Sequence, residues 1–295
     1  MAEIQAGSTV PRRQLGRYLR DLRSAAGLSA RAAARDLERS EPTLWRIETG
    51  QVSVRSLDVK AMCELYGATP DMTAALMALA KETKARGWWQ AYGDVLPDWF
   101  DLYIGLEAAA VKIATYESDL VPGLLQTEQY AQALITGDDP GVSEAEIERR
   151  VGLRMARQAI LRRPIDPPVL QVALSEPVLR RPVGGAGVMS AQLNHLVEVS
   201  DLPNVALRVV PFEAGFHPGI LSGAFALLRF PLNGGGVESE PPTVFADMYT
   251  GGLYLDKPNE IERYGNAFDG IWKASLDERE SAKLIEKTAE ELRHG

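Results

Sequence analysis

One cysteine, Cys63, stands in 295 residues. That excludes an internal disulfide and any cysteine zinc cluster, and leaves Cys63 to pack in a helix as a small apolar residue. Histidine is nearly as scarce, three in all, and His195 and His217 show no metal-ligand spacing. No apolar run approaches the ~20 residues a membrane span needs. The opening MAEIQAGSTVPRR has no apolar core of a secretory signal. These shortages lead to the expectation of a cytoplasmic chain with no metal and no membrane contact.

Catalytic and cofactor signatures are missing too. GGAGVMS (184–190) gives G-x-G-x-x-S from Gly185, so the third glycine of a dinucleotide loop fails and a plain loop is expected. No P-loop lysine follows a glycine run. Ser222, in GILSG, lacks the glycine two residues before it that a nucleophile elbow needs. Nothing forces Asp166 and Glu176 together as paired carboxylates. No cofactor is implied and no enzyme is expected.

What is present is an ordinary globular composition, 45% hydrophobic and 24% charged, long enough for two domains at ~150 residues each. Net charge is −8, which argues against indiscriminate coating of nucleic acid. The charge is uneven, however. Residues 1–60 hold 11 Lys or Arg against 7 Asp or Glu, a balance of +4, which leaves −12 on the rest. A basic head on an acidic body suits a DNA reader whose body is held off the phosphates.

The head is organised around LSARAAARDLERSEPTLWRIETG (28–50), read as two short helices joined by a tight turn. Leu28, Ala32, Ala33 and Leu37 supply small apolar contacts at helical spacing. Ser40 stands as N-cap, placed to accept from the amide of Thr43. Pro42 falls in the first turn, where its missing N–H costs no helical bond. Leu44 and Ile47 point inward, and Gly50 ends the helix. Glu41, Pro42, Thr43 and Arg46 remain on the outer face, suited to the B-DNA major groove. Arg46 could take guanine O6 and N7, Glu41 could accept from cytosine N4, and the Thr43 and Pro42 carbons could meet a thymine methyl. Any helical hairpin offers the same outline, so both readings stand on the residues alone.

The same stretch resembles the signature of XRE-type, lambda-repressor-like helix-turn-helix regulators. Leu28, Ser29, Ala34, Leu37, Ser40, Arg46, Ile47, Glu48 and Gly50 match its pattern. It departs at Ala30 and Arg31, where a Gln often reaches DNA, at Glu38, where the turn usually has Gly, and at Trp45, usually small. The resemblance implies an all-α five-helix domain that binds a palindromic operator as a homodimer. Its DNA-facing candidates are Arg31, Ser40, Glu41, Pro42, Thr43 and Arg46. Before this stretch a helix from about Pro11 to Ala26 turns Leu15, Tyr18, Leu19 and Leu22 inward and places Arg13 and Arg17 for phosphates or for plain solvation. After it, Ser53 and Arg55 lie in a loop that could touch the DNA backbone. Helices near 56–66 and 70–85 complete the domain, with Val59, Met62, Leu65, Met72, Leu76 and Leu79 inward and Thr69-Pro70 as cap and first residue.

From Gly87 the composition shifts, and we divide the chain into residues 1–86 and 87–295. Trp88, Trp89, Tyr92, Trp99, Phe100 and Tyr103 crowd one segment among Asp94, Asp98, Asp101 and Glu107, a sign that favours interdomain packing over base stacking. A helix is expected at 106–116, then a turn and a helix ending near Ile135. Ser143 and Glu146 form a capping box for a helix to about Leu161. Arg150, Arg154 and Arg157 make a basic stripe on it beside Gln158. The stripe is open to three readings: internal pairing, a solvated face, or a site for an anionic effector or acidic partner. VLQVAL (169–174), NVALRVVPF (204–212), AFALLRF (224–230) and TVFADMY (243–249) read as strands, with helices near 191–200, 258–275 and 276–293. The chain is thus mainly α, its body an α+β domain with a small mixed sheet.

YESDLVPGLLQTEQYAQALI, IERRVGLRMARQAIL, RRPVGG and DLPNVALRVVPFEAGFHPG resemble one C-terminal domain, which follows XRE-type heads in a large actinobacterial regulator family described as antitoxin-like. Genes of that family often neighbour one for a small acidic protein. The resemblance implies regulation and a partner, not a defined ligand. It makes Pro122 to Thr127, Gln126 among them, with Arg154, Arg157 and Gln158, either a recognition surface or fold-forming turns. The expected function is a sequence-specific transcription regulator whose body senses an effector or binds a small partner. The alternative is an antitoxin-like sequestering protein with secondary DNA binding.

Overall fold

Ser29 and Ser40 set the geometry of the head. The Ala32 amide donates to Ser29 Oγ at 3.2 Å and the Thr43 amide to Ser40 Oγ at 3.3 Å, so each serine satisfies an otherwise orphaned helix donor. The computed structural model describes residues 10–82, 98–163, 166–232, 238–249 and 251–294. Its first five helices are α1 (Val10–Ala25), α2 (Ala30–Asp36), α3 (Glu41–Glu48), α4 (Ser56–Tyr66) and α5 (Pro70–Glu82). Gly50, at φ 72°, closes α3. The Gln51 amide donates back to the Arg46 carbonyl at 2.8 Å and the Gly50 amide to that of Ile47 at 3.0 Å, a Schellman ending. Thr69 caps α5, accepting from the Met72 amide at 3.3 Å.

The helices enclose Leu15, Leu19, Ala33, Ala34, Leu44, Ile47, Val59, Met62 and Cys63, with Leu76 and Ala80 from α5. Each buried leucine or isoleucine contributes roughly 1.5–3 kcal/mol. Gly16 lets α1 lie on the end of α3, because a Cβ there would meet the Ile47 carbonyl oxygen at 2.5 Å. Met72 departs from expectation and is exposed. Helical spacing groups it with Leu76, but the first turn of α5 stays in solvent while Leu76 and Ala80 carry the packing. The Leu79 side chain lies outside the described residues.

In the body the segment expected to be helical at 106–116 is split. Helix α6 (Asp98–Ala109) ends early, and Lys112–Glu117 is strand β1. The alanines before it favour helix, yet KIATYE carries β-branched and aromatic residues and pairs on both sides, so tertiary pairing overrides the local run. A 3-10 turn (Gly123–Leu125) and helices α7 (Glu128–Asp138) and α8 (Glu144–Gln158) follow, then β2 (Val169–Ser175), α9 (Glu176–Arg180), α10 (Ala186–Ser200) and β3 (Val205–Val210). The chain continues through α11 (Gly219–Ser222), β4 (Phe225–Arg229), β5 (Thr243–Met248), β6 (Gly251–Leu255), α12 (Pro258–Ala274) and α13 (Glu278–His294). Helix α10 begins inside the GGAGVMS stretch expected to be a plain loop. Gly185 serves as its N-cap, and Gly187, a poor helix former, had masked the start.

The six strands form one mixed sheet in the order β3-β2-β1-β4-β5-β6, with β1, β2 and β3 parallel and the remainder antiparallel. Ala114, Tyr116, Ala173, Phe225, Leu227 and Val244 pack against Ile261, Phe268 and Ile271 of α12. By strand alternation Ile113, Leu170, Val172, Leu174, Leu228 and Phe245 are buried on the opposite face. The β3 edge is met at Val209 by the α12–α13 connection and the first turn of α13. The Val209 amide donates to Ser281 Oγ at 2.9 Å, and its carbonyl accepts from Leu276 N–H at 2.9 Å, which satisfies the edge at that residue. Two compact units divide the described residues, the break falling after Leu106 in α6. Trp88, Trp89, Tyr92 and the Trp99 side chain lie outside the described residues; Phe100 and Tyr103 stack at 5.4 Å in α6.

Candidate nucleic-acid interface

Helix α3 turns Leu44 and Ile47 into the core and leaves Glu41, Pro42, Trp45 and Arg46 exposed, with Thr43 half-buried. Its position is locked at its far end. The Arg23 guanidinium of α1 donates to both oxygens of Glu48, from Nε at 2.6 Å and Nη2 at 2.9 Å, and from Nη1 to the Leu28 carbonyl at 2.8 Å. Glu48 is 5% exposed. This accounts for the glutamate in the Arg-Ile-Glu-x-Gly run: it holds the helix and stays away from the outer face. The Glu48 carboxylate raises the Arg23 pKa, outweighing burial. Burial, reinforced by Glu48 and opposed by Arg23, pushes the Tyr66 phenol to about 12.

Ser40, Pro42, Thr43 and Arg46 contact one another, as do Arg31 and Glu41. Arg46 reaches back at 3.4 Å to the Pro42 carbonyl and at 3.4 Å to Thr43 Oγ1, long contacts that leave the guanidinium available to a better acceptor. Ser40 also shares a 2.9 Å hydrogen bond with Thr43 Oγ1. Arg31 faces Glu41 across an exposed 3.8 Å ion pair, so two candidates screen one another in the free protein. Arg17 is half-buried, and Ser53 and Arg55 are exposed between α3 and α4. The Arg13 side chain lies outside the described residues. Trp45 was not singled out as a site residue, yet it is 56% exposed on the outer face beside Arg46. The signal was present: a large aromatic where the resembling pattern has a small residue.

The body candidates also come together, but inward. Gln126 donates to the Val121 carbonyl at 2.7 Å and accepts from Arg154 Nη1 at 2.9 Å. Gln158 donates to the carbonyls of Gln126 and Gly123 at 2.7 and 3.1 Å. Arg157 makes a buried two-pronged pair with Glu107, at 2.9 and 2.7 Å. Burial first, then Arg157, lowers the Arg154 pKa to about 10. Arg150 pairs with Glu146 one turn earlier. These bonds tie the 3-10 turn and the end of α6 to α8. Thr127 caps α7, and its own amide donates to Gln192 Oε1 at 2.7 Å.

A hydroxyl-capped helix pair with an exposed polar second helix, seated on a five-helix core, defines a helix-turn-helix protein. Residues 14–76 match a family model described as a helix-turn-helix domain, the kind of domain found in DNA-binding transcription regulators. Residues 100–287 match one described as a domain of unknown function, DUF5753, and the chain belongs to that family. No curated protein and no solved structure matches it. Among the described residues no helix is long and apolar enough to cross a membrane, and no cluster of three His, Cys, Asp or Glu could hold a metal.

Proposed function

We propose that the chain is a sequence-specific transcription regulator of the XRE type, reading a palindromic operator as a homodimer. The observation that carries this reading is α3: its apolar side is buried, its end is fixed by Glu48, and Glu41, Pro42, Trp45 and Arg46 face solvent together. In the major groove Arg46 reads guanine, Glu41 reads cytosine, and the Thr43 methyl and Trp45 meet apolar base edges or sugar. Arg17, Ser53 and Arg55 hold the phosphates and set register. Two heads on one duplex place their α3 helices about 34–36 Å apart, one helical turn. The body tunes DNA binding through an effector or a small partner.

The test is selection from a random duplex library at fixed, near-physiological salt. An enriched palindrome supports the reading; no enrichment by the folded protein refutes autonomous recognition. On the enriched site Arg46→Ala should cost about 1–3 kcal/mol and relax preference at one base pair. Arg17→Ala should weaken all sequences alike and reduce the salt slope by about 1. Unaltered selectivity in Arg46→Ala would remove that residue from base reading.

A further inference from the structure

At the carboxyl ends of the three parallel strands lies a half-open cavity of about 320 Å³, walled by Tyr116 of β1, Ser175 of β2 and Val210 of β3. Its lining comes from the ends of β1, β2 and β3 and from the segment that leads into β4. Such crevices are where open α/β sheets take ligands. The loop from Pro211 to Gly223 forms its remaining wall, and α11 presses closely on its floor. A Cβ at Gly219 would meet the Tyr116 ring at 2.5 Å.

The lining has two halves. The polar half holds Ser118, Ser175, Tyr116 and His217. The Gly219 amide donates to His217 Nδ1 at 3.2 Å, which leaves the ring proton on Nε2 as a donor. Burial lowers the His217 pKa and keeps the ring neutral near pH 7. The apolar half is Val210, Pro211, Phe212 and Ile220. Phe212 is 60% and Ile220 59% exposed, and Phe216 and Leu221 of the same segment are 73% and 79% exposed. Phe212 and Ile220 thus leave apolar surface at the cavity that a bound molecule would cover. No charged side chain lines the cavity, so an ionic ligand would lose hydration with no counter-charge.

We propose that this cavity is a binding site for an uncharged, amphipathic small molecule of one or two rings. Its carbonyl or hydroxyl group meets His217 and Ser175, and its apolar end covers Phe212 and Ile220. Taken as the effector site, it rests on the regulatory reading above; as a binding site it stands alone.

The probe is 6-propionyl-2-dimethylaminonaphthalene, an uncharged two-ring ketone whose emission shifts to the blue on leaving water. Titrated into the full chain, it should bind saturably at one per chain. Ile220→Glu and Phe212→Ala, both at exposed positions, should weaken it roughly tenfold or more. Ser175→Ala should weaken it less. Unsaturable binding, or saturable binding indifferent to all three changes, overturns the site. Displacement of the probe by anionic 1-anilinonaphthalene-8-sulfonate overturns the uncharged class. Repeating the titration with operator DNA separates the two readings. Tight binding without change in DNA affinity keeps the site and rejects its effector role, whereas loss of binding leaves DNA recognition untouched.

Discussion

Glu38 holds a left-handed backbone, φ 53°, in the turn between α2 and α3. Its amide donates to the Arg35 carbonyl at 3.0 Å and the Arg39 amide to that of Ala34 at 2.8 Å, so the turn is a Schellman ending made without glycine. An L-residue in that region costs about 1–2 kcal/mol, while glycine gives back part of the gain through the freer unfolded chain. Glu38→Gly should therefore stabilise the head by about 0.5–1 kcal/mol, read as a higher urea midpoint with unchanged slope. The departure from the usual glycine visible in the sequence is thus a small strain at one residue, with the turn geometry kept.

At the scale of elements, legibility followed the range of the interactions. The two capped helices of the head depend on contacts three or four residues apart, and Ser29, Ser40 and Gly50 announce them directly. β1 and β6 do not announce themselves. β1 is made a strand by β2 and β4, which pair with it from far along the chain, as Lys112 with Val169 and with Arg229, and β6 carries two glycines that suggest a loop. The body candidates were found as a group, but spacing along α8 cannot tell an outward stripe from one turned toward Gln126 and Glu107. The Pro211–Gly223 segment has no signature of its own beyond GILSG, because a cavity wall built from three strand ends has no local pattern.

β1 also sets a pH dependence. Glu117, its last residue, is pushed up to about 8, chiefly by burial, then by Asp247 and Asp119, and against the hydrogen bond from Thr115. The folded chain therefore keeps a proton that the unfolded chain sheds above the ordinary glutamate range near 4.3. The contribution of Glu117 to stability is fully present below that range and is lost as pH rises toward 8, with a slope of up to about 1.4 kcal/mol per pH unit. Urea unfolding between pH 5 and 8 should show this decline, and Glu117→Gln should flatten it. An identical slope in the variant would assign the effect to other groups.

At the scale of the whole molecule, the chain divides into two compact units, each with its own buried cluster. Each unit carries its own core, so calorimetry should resolve two transitions. Gly16 identifies the one that belongs to the head. A methyl there is driven into the backbone oxygens of Ile47 and Glu48, and overpacking of this kind costs about 1–3 kcal/mol. For a unit of this size that corresponds to a shift of roughly 4–8 °C for each kcal/mol. Gly16→Ala should lower one transition by that amount and leave the other in place. Operator DNA at 100 times its Kd should raise the same transition, adding about 2.7 kcal/mol to the head alone. A single transition, moved as a whole by both, would mean the units fold as one body. The regulatory reading would then gain a direct route from body to α3, because any ligand stabilising the body would necessarily stabilise the head as well.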